Sequence, residues 1–142
     1  MGGGVMARVR TGPFENDDAL DFLDELEEAE PAERPVKVLR ALRRVVGTEE
    51  YIDAPVMAEA VAAAAVVAAS EDPESAVGER YLPPWLDRDP LHVDDELEEL
   101  ATQALHRALR PDENEWWELW EEADATDDVT EVVSRYLGVF GD

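Results

Sequence analysis

Apolar residues recur along this chain at helical spacing. Leu20, Leu23, Leu26 and Ala29 fall three apart with Phe22 beside them, which predicts an amphipathic helix over residues 17–28. Asn16 stands before it as an N-cap, and Asp17 and Asp18 fill the first turn, where carboxylates suit the helix dipole. Pro31 closes it. A second helix is predicted over residues 33–46, with Pro35 in its first turn and Gly47 past its end. Val36, Leu39, Leu42 and Val46, with Val38 and Val45, make its apolar face. Arg34, Lys37, Arg40, Arg43 and Arg44 make its polar face. Asp53 is placed to cap a third helix over residues 54–70, with Pro55 in its first turn and an Ile52–Met57 staple. Apart from Glu59 this helix is apolar all round, the pattern of a central helix surrounded by others.

Residues 71–93 break the pattern. Pro73, Gly78, Pro83, Pro84 and Pro90 exclude a continuous helix. Tyr81, Leu82, Trp85, Leu86, Leu91 and Val93 are apolar enough to hold the segment on the core. Asp94 or Asp95 caps a fourth helix to about Leu109, striped by Leu97, Leu100, Ala101, Ala104, Leu105 and Ala108. Asn114 caps a short fifth helix bearing Trp116, Trp117, Leu119 and Trp120. Thr126 or Asp127 caps a sixth, where Val129, Val132, Val133, Tyr136 and Leu137 point inward. No convincing strand or internal repeat is found. The expectation is an all-α protein, a single-domain helical bundle of five or six helices around the Ala-rich central helix. Residues 11–142 form the domain, and residues 1–10 read as a flexible N-terminal segment.

Charge changes the picture. The 142 residues carry 36 acids against 12 bases, a formal net charge of −24. Such a field repels nucleic acid and anionic membranes and attracts cations and basic proteins. There is no Cys, so no disulfide framework and no thiolate chemistry are available. The opening MGGGVMARVR has no apolar core of the signal-peptide kind, and the uncharged apolar run over residues 60–69 is short for a membrane span. A cytoplasmic location is expected.

Several groupings could carry chemistry, and each has a plainer account. Asp18, Asp21, Glu25 and Glu28 share one helix face. Such carboxylates can hold Mg²⁺ or Ca²⁺. However, the chain has no Glu-x-x-His and no EF-hand loop, and the plainer account is a solvated face. Asp87, Asp89, His92 and Asp94 could form a metal or proton-transfer site in a loop, or simply be its solvated surface. His106 is expected to border the core. The basic face of the second helix could bind an anion, or pair with the acidic first helix as its antiparallel neighbour. Trp116 and Trp120, four apart, are expected inward, with Trp117 at the edge or exposed to a partner. Pro83-Pro84-Trp85 is either a polyproline ligand or a turn that seats Trp85. No phosphate loop, nucleophile-and-base set or zincin motif occurs. That weighs against an enzyme, and no catalytic, cofactor-binding or metal residue is assigned and no cofactor is expected.

The stretch Thr11-Gly12-Pro13-Phe14-Glu15-Asn16-Asp17-Asp18 resembles the opening of the bacterial family called domain of unknown function 4259, with its Gly-Pro-Phe-x-Asn-Asp motif. Residues 49–53, the Ala-rich helix and Glu118-Leu119-Trp120-Glu121 resemble later stretches of that family. Val9-Arg10 stands where the family has Trp-Gly. The resemblance implies an all-helical domain and a bacterial source, and it carries over no mechanism. In residue terms, Gly12 and Pro13 set a sharp turn, Phe14 packs beneath the first helix and Asn16 caps it; the alternative is that residues 12–18 line a pocket whose helix-start amides bind an anion, which Asp17 and Asp18 oppose by occupying the same place.

The expected function is a small protein-binding module whose acidic surface meets a basic partner, such as an immunity or inhibitor protein or a nucleic-acid mimic. The alternative is a metal-binding protein or hydrolase-type enzyme built on acidic clusters. A further possibility is that the acidity serves only solubility or salt adaptation. A binding module predicts an exposed apolar patch ringed by acids near Trp117 or Trp85.

Overall fold

The computed structural model describes residues 12–76 and 82–141. Residues 1–10, Gly78 and Tyr81, on which the sequence carries expectations, lie outside the described residues. Among those described there are seven α-helices and no strand: α1 (Asp17–Glu28), α2 (Arg34–Arg43), α3 (Ala54–Glu71), α4 (Trp85–Arg88), α5 (Asp95–Ala108), α6 (Glu115–Glu122) and α7 (Thr126–Val139). The one-turn α4 is the helix that periodicity could not supply. Four residues are too few to show a period, and Pro83 and Pro84 precede it.

Helix α3 is the axis. It packs against α1, α2, α4, α5, α6 and α7, and an unbroken run from Ala60 to Ala69 is buried on every side. Its side chains are mostly methyl groups and valines, so neighbouring helices can lie close. By length and composition α3 could cross a membrane, yet 67% of its apolar window is buried within the fold, as in a core helix.

The first helix begins as its sequence indicates. Asn16 Oδ1 accepts from the Ala19 amide at 2.8 Å. Before it, the Gly12 turn closes on itself: the Glu15 amide donates to the Gly12 carbonyl, and the Gly12 amide donates to Glu15 Oε1, each at 3.1 Å. Phe14 is fully buried below. The buried stripe of α1 is Ala19, Phe22, Leu23 and Leu26, with Leu20 and Ala29 only half-buried. At 3.6 residues per turn, a strict three-residue spacing drifts off the core face.

Helix α2 departs most from expectation. A 3-10 turn, Pro31–Glu33, precedes it, and turns follow it to Gly47, which has φ +79°. The buried positions are Arg34, Val38, Ala41 and Leu42, continued by Val45. Val36, expected inward, is 53% exposed, and Arg34, expected outward, is 8% exposed. Arg34 Nε donates to the Leu26 carbonyl at 2.9 Å, its guanidinium lies 4.3 Å from the Trp85 ring centroid, and Asp89 stands 3.7 Å away. A cation over an indole with an acceptor in reach tolerates burial that an aliphatic comparison forbids. The Pro83-Pro84-Trp85 stretch thus seats Trp85 on Arg34.

The basic residues of α2 and its C-cap meet acids from three helices: Lys37 with Glu25 of α1 at 3.0 Å, Arg43 with Glu96 of α5 at 3.0 Å, and the C-cap Arg44 with Glu59 of α3 at 3.5 Å. The expected α1–α2 pairing is therefore one of several.

Arg107, within the α5 stripe, is buried. It donates to the backbone carbonyls of Thr48, Glu50, Asp112 and Glu113 at 2.8–3.3 Å. This binds the loop before α3 to the loop before α6. The same loops pair directly, the Ile52 amide donating to Glu113 and the Glu115 amide to Ile52, each at 3.0 Å.

Candidate functional site

An apolar cleft lies beside the starts of α1 and α3 and along α6. Asn16 and Asp18 of the α1 start, Ala54 and Ala58 of α3, and Trp116 and Leu119 of α6 surround a cleft of about 200 Å³, closed by Trp120 and Ala123. Its floor is apolar because α3 offers only methyl groups here. Its depth comes from the same cause, since alanine leaves space where a larger side chain would fill it.

The three helix starts beside the cleft are each capped by a side chain. Asn16 caps α1. Asn114 is fully buried; its Oδ1 accepts from the Trp117 amide at 3.1 Å, and its Nδ2 donates to the carbonyls of Ala108 and Arg110, each at 2.8 Å. Asp53 was the expected cap of α3 and makes no side-chain cap bond. Glu115 Oε1 from α6 takes the Ala54 amide instead, at 2.7 Å. The Ile52 backbone pairing draws α6 alongside the start of α3, so a carboxylate from outside the helix reaches the amide. Helix α7 likewise starts without a side-chain cap: Thr126 is already helical and Ala125 precedes it.

Leu119 forms the lip of the cleft and is 48% exposed. Helical spacing sets Glu115 and Glu122 on its face of α6. Beside it the Tyr51 hydroxyl donates to Glu118 Oε1 at 3.0 Å. Desolvation, that hydrogen bond, and the charges of Glu118, Glu115 and Asp53 push the Tyr51 pKa up to about 12. Asp18 stands on the opposite wall. Three large apolar side chains are exposed among the described residues: Leu119 at the cleft, Tyr51, which bonds Glu118, and Val36 on α2. Trp85 is buried, and Trp117 packs half-buried against the core. Trp116 is buried and meets Trp120 edge-on, with centroids 5.9 Å apart; Trp120 is only half-buried because it walls the cleft. The indole N–H groups of Trp85, Trp117 and Trp120 are buried without an acceptor among the described residues.

The other groupings disperse. Asp18, Asp21 and Glu28 are exposed on α1, while Glu25 pairs with Lys37. Asp87 and His92 are exposed, Asp89 faces Arg34, and Asp94 Oδ1 caps α5 by accepting from Leu97 at 2.9 Å. Among the described residues no three His, Asp or Glu side chains come together as a metal site. His106, expected at the core edge, is exposed.

The apolar side of the cleft was hidden from sequence reading because it depends on which residues meet: three alanines, a leucine and two tryptophans that the pattern assigns to the core. A signal was present in Leu119, an apolar residue between Glu118 and Glu121 on a helix too short to bury all its large side chains.

The family model described as Domain of unknown function (DUF4259) matches residues 10–132. No curated protein and no solved structure matches the chain.

Proposed function

The chain belongs to the Domain of unknown function (DUF4259) family, and from that premise we propose that it is a protein-binding module whose acidic face receives a basic partner protein. Immunity or inhibitor proteins and nucleic-acid mimics are the concrete forms of such a module. One observation carries the reading: an open apolar cleft with an exposed leucine lip, set among carboxylates. Apolar contact supplies affinity on burial, and the −24 charge steers a basic protein toward it. A metal-binding or hydrolytic reading has no converging ligand group among the described residues to start from.

The test is affinity capture from the source lysate with the wild-type protein and a Leu119→Glu variant, at low and high salt. The wild type is expected to retain a basic protein at low salt and release it at high salt. The variant is expected to lose it at both. An identical retained set for the two proteins, or none, would sink the reading.

A further inference from the structure

Resting on that reading, we infer that the cleft receives one bulky apolar side chain of the partner, with a cationic residue on either side of it. Three observations lead there. The first is size. At about 200 Å³, the cleft falls below the roughly 300–1,000 Å³ that pockets for small ligands and cofactors span. A single aromatic or long aliphatic side chain is the ligand that matches. The second is composition. Apart from Asn16 and Asp18 on the α1 side, the walls are methyl, leucine and indole surface, which rewards apolar burial and offers few hydrogen-bond partners to a polar ligand.

The third is which carboxylates remain to meet a cation. Glu115 is taken up by the Ala54 amide and Glu118 by Tyr51. Asp18, on the α1 wall, and Glu122, one turn beyond Leu119 beside Ala123, make no hydrogen bond or ion pair among the described residues. Asp18 lines the cleft from α1, and Glu122 on α6 is next in sequence to the lining residue Ala123. A cation on each side of the inserted residue reaches them, whereas a run of cations without an apolar centre leaves the cleft unfilled. Interface anchors are of this kind: a central apolar residue seated in a pocket, with charged contacts around it.

Three short amidated peptides test the inference against the full-length protein, read by amide chemical-shift changes. One has a phenylalanine between two arginines in a serine background. The second replaces the phenylalanine with alanine, and the third replaces the arginines with serine. The first is expected to bind about tenfold more tightly than either, the scale of a buried aromatic anchor, and to shift Leu119, Ala58 and Ala123. An Asp18→Asn, Glu122→Gln double variant is expected to bring the first peptide down to the third. Both changed residues are exposed, so folding is kept. Equal binding of the first two peptides overturns the anchor and leaves the reading of a basic partner standing. Equal binding of the first and third overturns both. No binding by any peptide overturns the inference, and the lysate capture then judges the reading by itself.

Discussion

At the scale of single residues, two buried polar side chains hold the loops that place the cleft. Asn114 serves four groups at once, capping α6 and satisfying carbonyls at the end of α5. Losing an N-cap costs about 1 kcal/mol, and leaving buried acceptors unpaired costs a further ~1–3 kcal/mol. Asn114→Ala is therefore expected to destabilise the protein by roughly 2–4 kcal/mol in urea unfolding. Asn114→Asp separates the two roles: it keeps the cap but turns a carboxylate on the carbonyls, so it should fall well below wild type. A variant as stable as wild type would show that the amide donors contribute nothing. Arg107 works in the same region. Burial and the neighbouring Arg110 charge lower its pKa, while Glu49, Asp112 and Glu113 pull it back. Its planar fork reaches four carbonyls, which a lysine ammonium cannot do.

At the scale of elements, α3 meets α5 at a point of conflict. Glu71 ends α3, where a negative charge opposes the helix dipole, and it faces Glu98. Burial, a hydrogen bond to Glu98 and the charges of Glu98 and Asp72 raise its pKa. A folded-state pKa above the unfolded one means that this acid's favourable contribution is complete below the ordinary value of 4.5 and is lost as pH rises through the folded value. At neutral pH the pair is repulsive. Glu71→Gln keeps a donor to Glu98 and removes the repulsion. It should stabilise the protein by about 0.2–1 kcal/mol, the range of exposed charge pairs, seen as a thermal midpoint a few degrees higher at pH 7. The gain should vanish in acid. A lower midpoint at pH 7 would contradict this account.

At the scale of the whole molecule, 36 acids oppose 12 bases. The exposed ion pairs around α2 and Arg110 each contribute little, and salt weakens them. Self-repulsion of the excess acids is the larger sum. Adding NaCl from low to moderate concentration is accordingly expected to raise the thermal midpoint, and a fall would mean that local pairs outweigh the net charge. Mild acid acts in the same direction through Glu59, raised chiefly by burial, and Glu71. Asp112 acts oppositely. The hydrogen bond from Arg110 holds it below its ordinary 3.8, so its contribution is present above that value and lost as pH falls through the folded one. Stability is therefore expected to rise from neutral pH toward mild acid and to lose only the small Asp112 contribution at lower pH, which denaturant titrations along the pH axis would trace.

What the chain determined by itself is local. Asn16, Asp94 and Asn114 announced three helix starts because a cap needs only its own next three residues. The alanine run announced the central helix because no amphipathic surface could take it. Tertiary structure decided whatever depends on a second element. Arg34 is buried because Trp85, fifty-one positions on, lies beneath it. Glu115 replaces Asp53 as the cap of α3 because the Ile52 pairing brings α6 alongside. Val36 is exposed because the core face of α2 is set by what packs against it and not by its own apolar count. The cleft belongs to this second class. Its volume is the space left where the starts of α1 and α3 meet α6 over small side chains, and space between elements is a property no single segment encodes.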